Sequence, residues 1–186
     1  MVGVTSHLSE RSSVIDGVAL IELTMYPDER GVFTEVFRGS WGVGVTPVQW
    51  NVVRSNQGVF RGVHVHPRHD DYLTVVSGHA TVGLRDLRRG SSTEGTVTIF
   101  ELDGDALASI AIPHGVAHGF LFHEPSIHVY AVSHYWDPED ELACLWSDPA
   151  LGISWPFEPT SISARDASAQ GFNQLLAEIE PLQPIG

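Results

Sequence analysis

The residues with the clearest chemical potential lie in one short stretch, 58–78, which reads GVFRGVHVHPRHDDYLTVVSG. It carries His64 and His66 on an apolar, strand-like run and Asp71 just beyond it. Because residues two apart point to the same side of a β-strand, His64 and His66 are expected to project together. Imidazole and carboxylate groups that share one space can act as acid–base catalysts or as metal ligands. We therefore predict a functional site here.

Short apolar segments separated by Gly, Pro, Asn or Asp surround this stretch. They predict β-strands at 18–25, 32–37, 48–53, 59–65, 71–77, 79–86, 96–101, 107–112, 119–122, 127–135 and 142–146. This pattern is typical of a β-sandwich or small barrel. Only 171–179 (GFNQLLAEI) has the apolar spacing of an amphipathic helix. We expect one all-β domain over 1–186, with an N-terminal arm at 1–17, a barrel at 18–156 and a C-terminal segment with the helix at 157–186.

Composition argues against several classes of function. The chain has 186 residues and a net charge of −13, and its ten basic residues are all arginine. An acidic chain without a basic cluster is a poor candidate for nucleic-acid binding, and a chain without lysine has no Schiff-base nucleophile of its own. It has no apolar run of the ~20 residues that span a membrane. The single Cys144 and the absence of a signal-peptide pattern predict a cytoplasmic protein.

The central stretch resembles the first signature of the cupin superfamily. That signature is a glycine, an HxH motif, an acid and a second glycine, here Gly58, His64, His66, Asp71 and Gly78, with aspartate in place of the usual glutamate. A second signature, P-x-G-x-x-H, matches 113–118 and ends at His118. The resemblance implies an all-β cupin double-stranded β-helix, also called a jelly-roll barrel. It leaves open whether the histidines bind a divalent metal, perform acid–base chemistry or only pack.

A more specific resemblance covers most of the chain. Segments that recur in order are 28–35 (DERGVFTE), 49–51 (QWN), 58–64 (GVFRGVH), 112–120 (IPHGVAHGF) and 147–156 (SDPALGISWP). Together they resemble the dTDP-4-dehydrorhamnose 3,5-epimerase family. The resemblance implies a cofactor-independent isomerase that deprotonates a dTDP-4-keto-6-deoxyhexose next to its C4 ketone. Reprotonation on the opposite face would invert C3, C5 or both.

The same resemblance implies roles for individual residues. His64 matches the general base, Asp166 the carboxylate that orients it, and Tyr130 the general acid. Arg61 and His118 match donors near the ketone oxygen, where they would stabilise an enolate. The other substrate-binding positions are Arg30, Phe33, Glu35, Gln49, Asn51, Trp136 and Arg165. The resemblance also implies a homodimer that exchanges an N-terminal strand, so that Arg30, Phe33 and Glu35 would serve the neighbouring subunit.

Two positions depart from the family pattern. Asp71 stands where the family usually has a lysine, and an anion there should disfavour an enolate nearby. Trp136 stands where the family usually has a tyrosine. With His66, however, Asp71 restores the cupin metal-ligand pattern. A second hypothesis is therefore that His64, His66, Asp71 and His118 bind Zn²⁺, Fe²⁺, Mn²⁺ or Ni²⁺.

The two hypotheses make different use of His64, because a metal ligand cannot also be a free base. A metal enzyme on this scaffold could keep the epimerase chemistry or act as an isomerase, cyclase or oxygenase. A third hypothesis is a non-catalytic protein that binds a sugar nucleotide or another small molecule. The partner of the His64 side chain distinguishes these functions.

Overall fold

Two facing β-sheets, a small hairpin and short helices make up the computed structural model, which describes residues 9–12 and 14–182. The strands are β1 (Ser9–Ser12), β2 (Ala19–Glu22), β3 (Met25–Asp28), β4 (Gly31–Thr34), β5 (Gln49–Ser55), β6 (Val59–Val65), β7 (Asp71–Ser77), β8 (His79–Asp86), β9 (Val97–Asp103), β10 (Ala108–Ile112), β11 (Val116–Phe122), β12 (Ser126–Val132), β13 (Leu142–Ala143) and β14 (Ser161–Ile162). The α-helices are α1 (Ala164–Ala167) and α2 (Phe172–Ile179).

The sheets interleave strands that are distant in the chain. The first has the order β1-β2-β10-β7-β12-β5, and the second has the order β13-β6-β11-β8-β9 with β14 parallel to β6. Strands β3 and β4 form a separate hairpin. The all-β prediction with one C-terminal amphipathic helix is confirmed. Within the described residues, no helix is long and apolar enough to cross a membrane.

Most predicted strands match those observed to within a few residues, but several features differ from the prediction. The segment predicted as one strand at 18–25 divides into β2 and the start of β3. Part of the predicted N-terminal arm, Ser9–Ser12, pairs with β2 as an edge strand, whereas residues 1–8 and 13 lie outside the described residues. The short helix α1 has too few residues for a helical period to be visible in the sequence.

Apolar side chains fill the space between the sheets and also cover the outer face of the second sheet. The inner cluster contains Leu73 and Val75 of β7 facing Val82 and Leu84 of β8. On the outer face, one side of α2 packs against the sheet. Its contributing residues are Phe172, Leu175 and Ile179, which follow the spacing of one helical face.

A bulge in β6 determines which of its side chains enter the space between the sheets. Arg61 and His64 both line the cavity described below, although residues three apart in a regular strand point to opposite sides. The register with β11 runs from His118↔His64 to Gly119↔Gly62, so Val63 is the extra residue and packs outward. Gly62 has φ +116°, and a Cβ there would lie 2.8 Å from Gly119 Cα. Glycine at this position therefore lets Arg61 and His64 share one face.

Candidate active site

A cavity of about 430 Å³ opens between the two sheets and contains most of the predicted site residues. The predicted residues that line it are Arg61, His64, His66, Asp71, His118, Tyr130, Trp136, Arg165 and Asp166. Another cavity of about 450 Å³, formed by residues 146–158, contains none of them. Nine of the predicted residues therefore come together in one cavity, and the remaining question is how their side chains are paired.

His64 is paired with Asp166. The Nε2 atom of His64 lies 2.8 Å from Asp166 Oδ1, across 102 residues of sequence. Ser163 caps the first turn of α1 by accepting the backbone N–H of Asp166 at 3.1 Å, which fixes the carboxylate beside β6. Burial raises the pKa of the Asp166 carboxyl, but the hydrogen bond and charge of His64, with smaller effects of Ser163 and Arg165, lower it to about 2. Asp166 is therefore ionised at neutral pH and holds the imidazole.

Arg165 gives His64 a second neighbour. Its Nη2 atom lies 2.7 Å from the same His64 Nε2, and its Nη1 atom lies 3.3 Å from Glu141 Oε2. A guanidinium group only donates, so it can bond Nε2 only when that nitrogen carries no proton. Donation to Asp166 requires a proton on Nε2, and in a neutral ring this leaves the lone pair on Nδ1. When His64 donates Nε2–H to Asp166, its Nδ1 atom can therefore accept a proton.

Tyr130 lies on the opposite wall of the cavity from His64. It belongs to β12 in the first sheet, where it pairs with Asn51 of β5 on one side and Leu73 of β7 on the other. His64 belongs to β6 in the second sheet and pairs with His118 of β11. Burial, followed by the charges of Asp71 and Glu141, raises the pKa of the Tyr130 phenol. The cavity therefore has a potential base and a protonated phenol on facing sheets.

A group of histidines surrounds Asp71. The Nε2 atoms of His66, His69 and His118 lie 3.5, 3.9 and 3.8 Å from Asp71 Oδ2. The predicted metal set included His64 in place of His69, and the structure assembles a different set. His64 turns to Asp166 because the bulge and α1 bring that carboxylate within hydrogen-bonding distance. The prediction of His64 as a metal ligand is corrected accordingly.

Burial keeps His66 and His118 neutral. Burial, with the neighbouring His118 and His69, lowers the pKa of His66 well below its usual value. Burial, followed by the charge of His64, lowers the pKa of His118 to about 3. For Asp71, burial and then Glu141, Asp70 and Asp140 raise the pKa well above its usual value. The Asp71 carboxylate therefore lacks a compensating charge among its described neighbours.

Five predicted substrate-binding residues do not line this cavity. Arg30, Phe33 and Glu35 lie on or just after the β3–β4 hairpin, where Arg30 Nη2 pairs with Asp28 Oδ2 at 2.6 Å. Phe33 is 65% exposed, so it is not a core residue. On β5, Gln49 Nε2 donates to Asn51 Oδ1 at 3.0 Å. The backbone N–H of Trp136 donates to Gln49 Oε1 at 3.1 Å. Gln49 therefore holds the segment that carries Trp136 at the rim.

Three polar residues in or beside the cavity have no assigned role in the sequence prediction: Glu141 and His128 line the cavity, and His69 stacks on His66 next to it. His69 lies in the loop before β7, and Glu141 belongs to an acidic run that reads as an exposed loop. His128 is buried, its Nδ1 has no hydrogen-bond partner, and burial followed by Arg61 lowers its pKa to about 4. The density of histidine and acid in 64–71 is the only sequence signal that includes His69. Neither Glu141 nor His128 has a comparable signal.

Comparison with known proteins agrees with this fold. The family model described as dTDP-4-dehydrorhamnose 3,5-epimerase matches residues 12–174. A protein of that name from Pseudomonas aeruginosa is 35% identical over 170 residues, which cover 85% of this chain and 92% of that protein. One from Neisseria gonorrhoeae is 32% identical over 87% of this chain, and the chain spans about half, 52%, of its length.

A solved structure gives the same result. The dTDP-6-deoxy-D-glucose-3,5-epimerase RmlC from Legionella pneumophila, in complex with dTDP-4-keto-L-rhamnose, superimposes with a TM-score of 0.87 at 33% identity. The match covers 97% of this chain and all, 100%, of that chain. It confirms the predicted cupin fold. The chain therefore belongs to the dTDP-4-dehydrorhamnose 3,5-epimerase family.

Proposed function

We propose that this protein epimerises a dTDP-linked 4-keto-6-deoxyhexose at C3, C5 or both carbons. The observation that carries this proposal is the His64–Asp166 pair facing Tyr130 across one cavity. A ketone acidifies the protons on the adjacent carbons, so a base on one ring face and an acid on the other suffice to invert a carbon. A binding protein needs no such pair, which disfavours the non-catalytic alternative.

In this mechanism His64 removes the proton through Nδ1. Donation of Nε2–H to Asp166 leaves the Nδ1 lone pair free, and proton transfer then converts the ring to an imidazolium cation. The ionised Asp166, 2.8 Å from Nε2, stabilises that cation by a charge-assisted hydrogen bond. Asp166 thus fixes the tautomer of His64 that presents Nδ1 to the substrate.

Tyr130 returns a proton to the other face of the sugar. Its raised pKa keeps the phenol protonated at neutral pH, as a general acid requires. It projects from β12 in the first sheet, whereas His64 projects from β6 in the second. Delivery from the facing wall would produce inversion instead of return of the same proton.

Arg61 is the donor that we assign to the enolate oxygen. Its guanidinium group lines the cavity and is anchored by donation of Nε–H to Ser55 Oγ at 3.0 Å. His118 matches a second donor by resemblance, but its Nδ1–H donates to the Val116 carbonyl at 3.1 Å. In the neutral ring Nε2 then carries a lone pair and cannot donate. Stabilisation of the enolate therefore depends mainly on Arg61.

The nucleotide half of the substrate would lie at the cavity mouth. Arg165 and Trp136 line the cavity and are exposed, so they can contact a ligand that extends outward. The planar fork of arginine suits a diphosphate group. The proposed reaction itself requires no cofactor. We expect it to take place in the cytoplasm, where the buried thiol of Cys144 would stay reduced.

We also propose that the active form is a homodimer, in which Arg30, Phe33 and Glu35 complete the site of the neighbouring subunit. Strand β5 is an edge of the first sheet and exposes Trp50 and Val52, which are 45% and 64% exposed. The β3–β4 hairpin exposes Phe33. Apolar side chains on an unpaired sheet edge are typical of an interface between copies of one chain.

Substitution of glutamate for Val52 should convert this dimer into monomers. A charge on the apolar edge would be buried without a partner in the interface, which costs several kcal/mol. Sedimentation equilibrium of wild-type protein should give twice the 20.3 kDa mass of the chain, and Val52→Glu should give the single-chain mass. Ile99→Glu is the control, because Ile99 is 40% exposed on β9, the edge strand of the other sheet. A monomeric wild-type protein would contradict the proposal.

The reaction is tested by incubating the protein with dTDP-4-keto-6-deoxyglucose in D₂O and following the sugar by proton NMR. Deuterium should appear at C3, C5 or both, together with the signals of an inverted sugar. dTDP-glucose is the control, because its C4 hydroxyl group does not acidify the neighbouring protons and no exchange should occur. If neither carbon of the ketosugar exchanges faster than in buffer, the proposed function is wrong.

A further inference from the structure

We infer that His66, His69 and Asp71 form a binding site for one divalent transition-metal ion, with His118 beside Asp71; the site is separate from the His64–Asp166 pair. One ligand atom from each of His66, His69 and Asp71 lies within 4.8 Å of the other two. The Nε2 atoms of His66, His69 and His118 lie 3.5, 3.9 and 3.8 Å, respectively, from Asp71 Oδ2. Ligands at about 2.1 Å from a tetrahedral ion are about 3.4 Å apart, close to these separations. The observed Nε2–Oδ2 distances are too long for hydrogen bonds.

The hydrogen bonds of the three rings orient their Nε2 atoms as ligands. The Nδ1–H of His66 donates to the Asp140 carbonyl at 3.0 Å, and that of His69 donates to Asp140 Oδ2 at 2.7 Å. The Nδ1–H of His118 donates to the Val116 carbonyl at 3.1 Å. When such a ring is neutral, its lone pair is therefore on Nε2. Donation of the other ring N–H to an oxygen is the usual support for a metal-bound histidine.

The arrangement lacks a positive charge at its centre. Asp71 Oδ2 lies among the Nε2 atoms of the three histidines, the rings of His66 and His69 are stacked, and no hydrogen bond joins Asp71 to another side chain among residues 14–181. The four residues are between 2% and 7% exposed, so water contributes little to the solvation of Asp71. A buried carboxylate without a partner is costly, and a divalent cation would remove that cost.

The nearby arginines are already paired with other carboxylates. Arg68 Nε lies 3.2 Å from Asp140 Oδ1, and its Nη2 lies 2.8 Å from Asp137 Oδ2. Arg165 contacts Asp166 and Glu141 at 3.2 and 3.3 Å. Within the described residues, neither guanidinium group forms an ion pair with Asp71. Imidazole with one carboxylate suits Zn²⁺, Fe²⁺ or Ni²⁺, and Zn²⁺ is the probe that we choose.

A second group, His79, Glu101 and His123, is also close enough to hold an ion, but it lies on the protein surface. Glu101 is 53% exposed on its side chain and already bonds His79 Nε2 at 2.8 Å. Substitution of its two histidines therefore serves as a control that shows which of the two groups binds the ion. The inference does not depend on the proposed reaction, because metal binding is measured without a sugar nucleotide.

The test uses the full chain, stripped with EDTA and dialysed, and titrates it with Zn²⁺ by isothermal calorimetry. Wild-type protein should bind one ion per chain, and Co²⁺ should give visible ligand-field absorption at the same stoichiometry. His69→Gln and Asp71→Asn should each weaken Zn²⁺ binding at least about 100-fold. His64→Asn and the double variant His79→Asn/His123→Asn should keep the wild-type affinity for that ion.

The inference is overturned if the wild-type chain binds neither Zn²⁺ nor Co²⁺ at micromolar concentrations. It is also overturned if His64→Asn or the surface double variant loses the ion while His69→Gln keeps it. Circular dichroism in EDTA should show that His69→Gln and Asp71→Asn are folded. If either variant fails to fold, the wild-type protein alone still tests the site. An ion that binds the native state must raise the thermal unfolding midpoint, so a midpoint that Zn²⁺ leaves unchanged would contradict the inference.

Discussion

Replacement of His64 with asparagine is expected to slow deuterium exchange at C3 and C5 of dTDP-4-keto-6-deoxyglucose by about 10³-fold, or about 4 kcal/mol of activation free energy. Asparagine keeps a polar side chain next to Asp166 but has no nitrogen that accepts a proton at neutral pH. Both exchange and inversion should decrease together, because removal of the proton precedes them. Proton NMR in D₂O measures exchange and product formation in one sample.

The matched control for this substitution is His79→Asn, which changes a histidine on β8 outside the cavity and should leave both rates unchanged. Addition of Asp166→Asn to His64→Asn should cost little more, because the two residues act as one unit. Exchange that persists at the wild-type rate in His64→Asn would show that another group is the base. Glu141 would then be the first candidate, since its Oε2 lies 4.0 Å from His64 Nδ1.

Replacement of Tyr130 with phenylalanine is expected to separate exchange from inversion. The phenol is lost but the ring remains, so the cavity keeps its shape while the facing wall loses its acid. His64 can still remove a proton and return deuterium to the same face, so exchange should continue within about tenfold of wild type. Formation of the inverted sugar should decrease by about 10²–10⁴-fold, the usual contribution of a general acid.

Tyr135→Phe is the control, because Tyr135 is 76% exposed and lies outside the cavity. It should leave exchange and inversion unchanged. Equal losses of exchange and inversion in Tyr130→Phe would place Tyr130 in substrate binding and not in proton delivery. Wild-type inversion in that variant would exclude Tyr130 as the acid.

Local sequence patterns determine much of this protein. Alternation of apolar residues with Gly, Pro, Asn and Asp breaks predicts the strands of both sheets, because a period of two follows directly from strand geometry. The HxH motif predicts that His64 and His66 belong to one site, and both line the cavity. The spacing of Phe172, Leu175 and Ile179 similarly predicts α2. These features depend on neighbouring residues, so the sequence is sufficient for them.

The partners of the site histidines were determined only by tertiary structure. Strict alternation cannot bring Arg61 and His64 to one face, and the bulge at Gly62 and Val63 depends on close approach to Gly119 of another strand. His69 lies in a loop without a period, and Asp140 belongs to an acidic run that reads as solvent-exposed. Both are buried beside Asp71 or its histidines.

The HxH motif brings His64 and His66 together but does not say what each one bonds. His64 Nε2 contacts Asp166 and His66 Nε2 faces Asp71, although the two histidines are adjacent on one face of the strand. The partner of each histidine depends on two elements. Helix α1, which carries Asp166, is far from β6 along the chain, and the loop before β7 has no periodic pattern. Side-chain pairing at such distances is decided by packing, and packing is not encoded in the local period of a strand.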